Sequence, residues 1–96
     1  MGKDHMMQEI MHPNPPKHEW EIATAIERWE QQYLKLVETY GEEEMGLTER
    51  WKINAIKRLL IGTIKQDIEL NKSNYTTYRA IRNRAMTCGV TQRMEH

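Results

Sequence analysis

The sequence predicts an all-α domain: a bundle of three to four helices in which the first helix is long and the third is short. Two observations carry this prediction. Apolar residues recur three and four positions apart over long stretches, which is the periodicity of an amphipathic helix. No stretch alternates apolar with polar residues as a half-buried strand does. The chain has 96 residues, which suits one domain with a thin core.

The composition, with 39% hydrophobic and 29% charged residues, is that of a soluble globular protein. No apolar run approaches the roughly 20 residues that a bilayer-spanning helix needs, and no secretory signal peptide is recognisable. The single cysteine, Cys88, cannot form an internal disulfide, which favours a reducing compartment. We therefore expect an intracellular protein, cytoplasmic or nuclear, that does not engage a membrane.

Residues 1–16 are predicted to form a flexible, proline-containing tail. The first six residues, MGKDHM, resemble a leader appended for expression. Pro13, Pro15 and Pro16 lack a backbone N–H and bias the residue before each of them toward an extended conformation. The helical domain is therefore expected at residues 17–89, and residues 90–96 are expected to be a C-terminal tail.

The first predicted helix covers residues 17–40 and carries a broad apolar stripe on one face. Glu19 and Glu21 lie near its start, where the helix dipole favours negative charge. Gly41 is well placed to end it, and residues 42–47 are predicted to be a linker. The stripe is formed by Ile22, Ile26, Trp29, Tyr33, Leu36 and Tyr40.

The second predicted helix begins after Thr48, which is suited to be its N-cap, and continues to the glycine at position 62. Thr63 and Gln66 fit a capping box that would start a short third helix over residues 64–70. The alternative is a single helix that continues through Gly62. A glycine within a helix destabilises it by about 1 kcal/mol relative to alanine. Residues 71–74 are predicted to be a turn with Asn74 as the next N-cap. The last predicted helix covers residues 75–88, and Gly89 is expected to end it.

Charge is unevenly distributed along the chain, although the formal net charge is zero. Residues 17–44 contain eight acidic and three basic residues, a net charge of −5, and residues 45–96 contain four acidic and ten basic residues, a net charge of +6. This arrangement suits packing of the two halves against each other within one domain. It equally suits head-to-tail association between copies.

The residues that carry out catalysis or hold metals do not occur in useful patterns. The four histidines, at positions 5, 12, 18 and 96, lie near the ends of the chain and lack the tight Cys/His spacing of a zinc site. Cys88 has no histidine within the predicted core to activate it as a nucleophile. The five glycines are dispersed, so no phosphate-binding loop is formed. We expect no enzymatic activity, no metal and no cofactor.

The tryptophans are the main candidates for protein contact. Trp29 and Trp51 lie on apolar stripes and are expected to fill the core, whereas Trp20, beside the proline segment, suits an interface anchor. The candidate contact residues for a second copy or another helical protein are Trp20, Ile22, Trp29, Trp51, Arg79 and Arg82.

Weak contact with RNA or DNA through a basic last helix is the alternative function. The near-neutral net charge argues against a stand-alone nucleic-acid binder. These basic residues could instead form an ordinary solvent-exposed face, or pair with acidic residues of the first predicted helix. The candidate nucleic-acid contacts are Lys65, Lys72, Arg79, Arg82, Arg84 and Arg93.

The order of aromatic, apolar and charged residues over positions 17–88 resembles the Gag or capsid-like helical region of retrotransposon polyproteins. The residues that carry the resemblance are Trp20-Glu21, Arg28-Trp29-Glu30, Tyr33, Val37, Lys52-Ile53, Leu59-Leu60, Ile68-Glu69-Leu70, Tyr75, Tyr78-Arg79 and Ile81-Arg82. Gly62-Thr63 stands where many such sequences have a proline, and there is no zinc knuckle. The resemblance implies an all-helical lobe that self-associates into shells. We therefore expect a structural self-association domain that acts through helical protein–protein interfaces.

Overall fold

The all-α prediction is confirmed by the computed structural model, which describes the backbone of residues 3–95 and the side chains of residues 5–87. The described chain contains more helices than the three to four predicted, and the long one is the second. Short 3₁₀ turns lie at Glu19–Glu21 and Lys72–Asn74. The α-helices are α1 (Lys3–Met11), α2 (Ile22–Tyr40), α3 (Glu42–Met45), α4 (Glu49–Arg58), α5 (Gly62–Leu70) and α6 (Tyr78–Glu95).

One hydrophobic core joins α1, α2, α4, α5 and α6, and α6 contacts α2, α4 and α5. The domain is flat, with extents of 40 × 30 × 17 Å, so most helices have one face in the core and another in solvent. Every buried side chain in the described region is apolar. The core residues are Ile10, Ile22, Ile26, Trp29, Ala55, Ile56, Leu59, Leu60, Ile64, Ile68, Ile81 and Ala85.

The prediction of a flexible tail is wrong for residues 3–11, which form α1. Ile10 of this helix is only 2% exposed, and its carbonyl oxygen accepts a hydrogen bond from Nε1 of Trp29 at 2.7 Å. The prolines begin only at Pro13, so they disfavour a helix after α1 and not within it. An isolated nine-residue helix is not stable in water, so α1 depends on this tertiary contact.

The expected end of the long helix is confirmed, but the linker prediction is only partly right. Gly41 follows α2 with φ = 92° and donates its N–H to the carbonyl of Val37 at 2.8 Å. Within the predicted linker, α3 makes one turn and places Met45, 1% exposed, in the interior. The Leu47 N–H then donates to the hydroxyl of Tyr33 at 2.8 Å, which holds this connection against α2.

The break between the second and third predicted helices is confirmed at Gly62, whose φ is +64°. Thr48 is the N-cap of α4, as expected, and accepts the Trp51 N–H at 3.2 Å. The Thr63 capping box is wrong, because Thr63 lies inside the first turn of α5. Its N–H and hydroxyl instead both donate to Oε1 of Glu19, at 2.5 and 2.8 Å. A carboxylate from a distant part of the chain therefore caps this helix.

The last helix begins and ends later than predicted. Its first turn is capped by Thr77, which accepts the Ala80 N–H at 3.2 Å, and not by Asn74, which lies in a 3₁₀ turn. Oε2 of Glu49 also accepts the Tyr78 N–H at 2.6 Å. At the other end the helix passes Gly89 and runs to residue 95. A glycine within a helix costs only about 1 kcal/mol relative to alanine, so it does not force an end.

Candidate interaction surfaces

Three of the predicted contact residues are on the surface. Trp20 is 47% exposed and its ring stacks on that of His18 at a centroid distance of 4.1 Å. Trp51, expected in the core, is 39% exposed and meets the ring of His12 edge-on at 6.5 Å. Arg79 on α6 is exposed as well. These side chains are accessible to a partner.

Ile22 and Trp29 are wrong as contact residues, because both lie in the core. Ile22 is 0% exposed and Trp29 is 4% exposed. The Trp29 ring stacks on Tyr33 at 5.5 Å and lies 5.9 Å from the ring of Tyr78. A side chain with these neighbours fills the interior, which was the expectation for Trp29 from its apolar stripe.

Arg82 is committed to an interaction within the fold. Its Nε and the hydroxyl of Tyr78 both donate to Oε2 of Glu30, each at 2.6 Å. The hydrogen bond to Glu30 raises the pKa of Arg82. Burial, and next the hydrogen bond to Glu30, raises the pKa of Tyr78 well above its usual value of about 10. This cluster joins α2 to α6. Arg82 is therefore already bound within the fold and is not available to contact a partner.

The predicted nucleic-acid residues do not form one free basic face. Arg84 donates from Nε to Oδ2 of Asp67 at 2.9 Å, so it is paired within the fold, as Arg82 is. Lys65, Lys72 and Arg79 are exposed on separate segments. The side chain of Arg93 lies outside the described residues, as does that of Cys88. The charges of α6 are thus partly neutralised by Glu30 of α2 and Asp67 of α5.

A basic surface that the sequence analysis did not single out lies on α4. Its members recur at helical spacing on the side away from the buried Ala55 and Ile56. The one acidic residue of α4, Glu49, is turned toward the first turn of α6. We call this surface the basic face; it consists of the exposed residues Arg50, Trp51, Asn54, Lys57 and Arg58.

A surface of opposite charge lies at the C-terminal end of α2 and on α3. Leu34 is 58% exposed, four residues before Glu38 on α2. The acidic side chains of Glu38, Glu42 and Glu43 have no ion-pair partner in the described part of the chain. We call this surface the acidic edge; it consists of the exposed residues Leu34, Glu38, Glu42 and Glu43.

A groove also runs along α2, opposite residues 6–16. It is formed by cavities of about 560, 250 and 410 Å³ that share lining residues. Trp20 lies at one end and Tyr40 at the other, and Arg28 and Gln32 lie between them. This groove was not predicted, because residues 6–16, which form its second wall, were expected to be a flexible tail.

Among residues 5–87 no three metal-ligating side chains converge on a point that would hold an ion. None of the helices in the described chain combines the length and the apolar character needed to cross a bilayer. In comparisons with known proteins, no protein-family model, no curated protein and no solved structure matches this chain.

Proposed function

We propose that this chain is a structural self-association module, of the capsid type that its sequence pattern resembles, and not an enzyme. It acts by placing helical surfaces of separate copies against one another. The observation that supports this proposal most directly is the number of large apolar side chains that the flat fold leaves in solvent. The exposed ones in the described region are Trp20, Leu34, Tyr40, Trp51 and Leu70.

Burial of these side chains would supply the free energy of association. Full burial of a large apolar side chain contributes roughly 1.5–3 kcal/mol relative to exposure, and Leu34 and Leu70 are 58% and 84% exposed. Aromatic residues at the surface are also the side chains most often found at interface hot spots. Covering several of them in one contact would offset the loss of translational and rotational freedom on binding.

The charges of α6 favour protein contact over nucleic-acid contact. Two of the arginines that would read a phosphate backbone are held by Glu30 and Asp67. Breaking such pairs to bind phosphate would return little net free energy, since each arginine exchanges one anion for another. A helical protein surface, presented by a second copy, is therefore the partner that we propose.

The test is the mass of the protein in solution as a function of concentration, measured by sedimentation velocity. We expect the mass of the wild type to rise with concentration. The double variant Leu34→Ser, Leu70→Ser should associate more weakly, because it removes apolar area without touching the core.

The matched control is Gln31→Ser, Gln66→Ser, which changes exposed polar residues on the same two helices. It should associate like the wild type, and circular dichroism should show equal helix content in all three proteins. A wild type that stays a monomer at every concentration would contradict the proposal.

A further inference from the structure

We propose that two copies associate by docking the basic face of one copy on the acidic edge of the next. This inference rests on the proposed function and adds which surfaces meet. It assigns a role to the unpaired charges on α2, α3 and α4, which the fold itself does not use.

The basic face has the composition of a docking surface. Its three cations, Arg50, Lys57 and Arg58, take part in no hydrogen bond or ion pair among the described residues. Trp51 is 39% exposed at its edge and supplies a large apolar surface beside the charges. An aromatic anchor flanked by arginine is the pattern of interface hot spots. Over Arg50 to Arg58 the face is about 12 Å long at 1.5 Å per residue.

The acidic edge offers the matching charge. Glu38 lies in the last turn of α2, where the negative end of the helix dipole disfavours a carboxylate. A cation placed there by a second copy would relieve that unfavourable interaction. Glu42 and Glu43 continue the charge on α3, and Leu34, 58% exposed, supplies the apolar contact.

A second copy is the occupant that the charges favour. The three unpaired cations of the basic face equal in number the three carboxylates of the acidic edge. Two cations of α6, Arg82 and Arg84, are already held within the same copy by Glu30 and Asp67. Since the whole chain has a formal net charge of zero, copies do not repel one another at long range.

A contact of this kind is heterologous, because each copy contributes a different surface on each side. Repetition of a heterologous contact produces a ring when the rotation closes and an open filament when it does not. Either outcome is an assembly that grows beyond a dimer, and growth of this kind is what a structural module requires.

The experiment exchanges the charges. Variant one, Lys57→Glu with Arg58→Glu, reverses the basic face. Variant two, Glu38→Lys with Glu43→Lys, reverses the acidic edge. Each variant alone should associate about tenfold more weakly than the wild type, or weaker still. An equimolar mixture of the two should associate again, because the unaltered basic face of variant two meets the unaltered acidic edge of variant one, and the two reversed surfaces also complement each other.

Three controls accompany the exchange. Lys65→Glu with Lys72→Glu reverses two exposed lysines on other segments and should associate as the wild type does. Lys57→Gln with Arg58→Gln removes the charges without reversing them, in case reversal at the end of α4 disturbs folding. Wild-type association should also weaken as salt concentration rises, and circular dichroism should confirm folding of every variant.

The outcomes separate this inference from the proposed function. Wild-type association that ignores salt and both charge variants, yet is weakened by Leu34→Ser with Leu70→Ser, overturns the docking inference and leaves self-association standing. A monomer at all concentrations overturns both. A monomer that binds a fluorescent single-stranded RNA through Lys57 and Arg58 assigns the basic face to nucleic acid, which also overturns the inference.

Discussion

Replacing Ile10 by alanine is the sharpest test of whether α1 belongs to the fold. Ile10 is 2% exposed in the core, and its carbonyl accepts the buried hydrogen bond from Trp29 at 2.7 Å. Truncating a buried isoleucine to alanine costs about 2–5 kcal/mol through lost transfer free energy and the cavity left behind. The expected loss lies at the lower end, about 2–3 kcal/mol. The reason is that α1 would detach rather than enclose a larger cavity, which limits the total cost.

The assay is urea unfolding followed by circular dichroism, together with thermal unfolding. For a domain of this size each kcal/mol corresponds to about 4–8 °C in Tm, so Tm should fall by roughly 10–20 °C. The control is Gln8→Ala, an exposed position on the same helix, which should leave Tm nearly unchanged. Equal stability of Ile10→Ala and the wild type would refute the docking of α1 and restore the prediction of a tail.

Two further predictions concern the connections between helices. Gly62→Ala should destabilise the domain by about 2 kcal/mol or more in urea unfolding. The φ of +64° costs a non-glycine residue about 1–2 kcal/mol. The added Cβ would also clash with Oε1 of Glu19 and displace this cap of α5. Unchanged stability of the variant would contradict the capping contact. Tyr78 should make stability fall at alkaline pH. Its folded-state pKa is raised, so its contribution is complete below about pH 10, where the unfolded chain also keeps the proton, and decreases as pH rises above that value. Tyr78→Phe should show a flatter pH dependence of stability above pH 10, and an identical slope would argue against the burial of this hydroxyl and its hydrogen bond to Glu30.

The helix boundaries that the sequence predicted correctly are those set by local chemistry. Thr48 caps the helix that it immediately precedes, and Gly41 ends α2 with a positive φ. Gly62 separates α4 from α5 because its own backbone adopts a left-handed conformation. In each case the residue and its partner are close in sequence, so residue type and spacing were sufficient.

Two of the boundaries that it predicted wrongly depend on residues distant in sequence. Thr63 looked like part of a capping box, but Glu19, 44 positions away, takes its hydrogen bonds. Tyr78, 29 positions from Glu49, begins its helix against that carboxylate. Several side chains could accept the free N–H groups at the start of a helix, and tertiary packing decides which of them lies close enough to do so.

The candidate surfaces show the same division. Apolar spacing placed Trp29 in the core correctly, because its stripe continues through Ile22 and Ile26. The same reasoning failed for Trp51, which lies at the edge of the stripe on α4 and is 39% exposed. Whether an edge position is covered depends on the neighbouring helices, and spacing along one helix does not contain that information.

The sequence by itself determined that the chain is helical and that its acidic and basic residues are segregated. It also determined that the long helix ends at Gly41 and that the helical run is interrupted at Gly62. These properties follow from backbone geometry and from contacts within about one helical turn. Only the tertiary structure decided that α1 joins the core, that Arg82 and Arg84 are paired internally, and that the cations of the basic face are left without a partner among the described residues. The physical reason is that burial and charge pairing depend on which helices meet, and residues far apart in the chain settle that together.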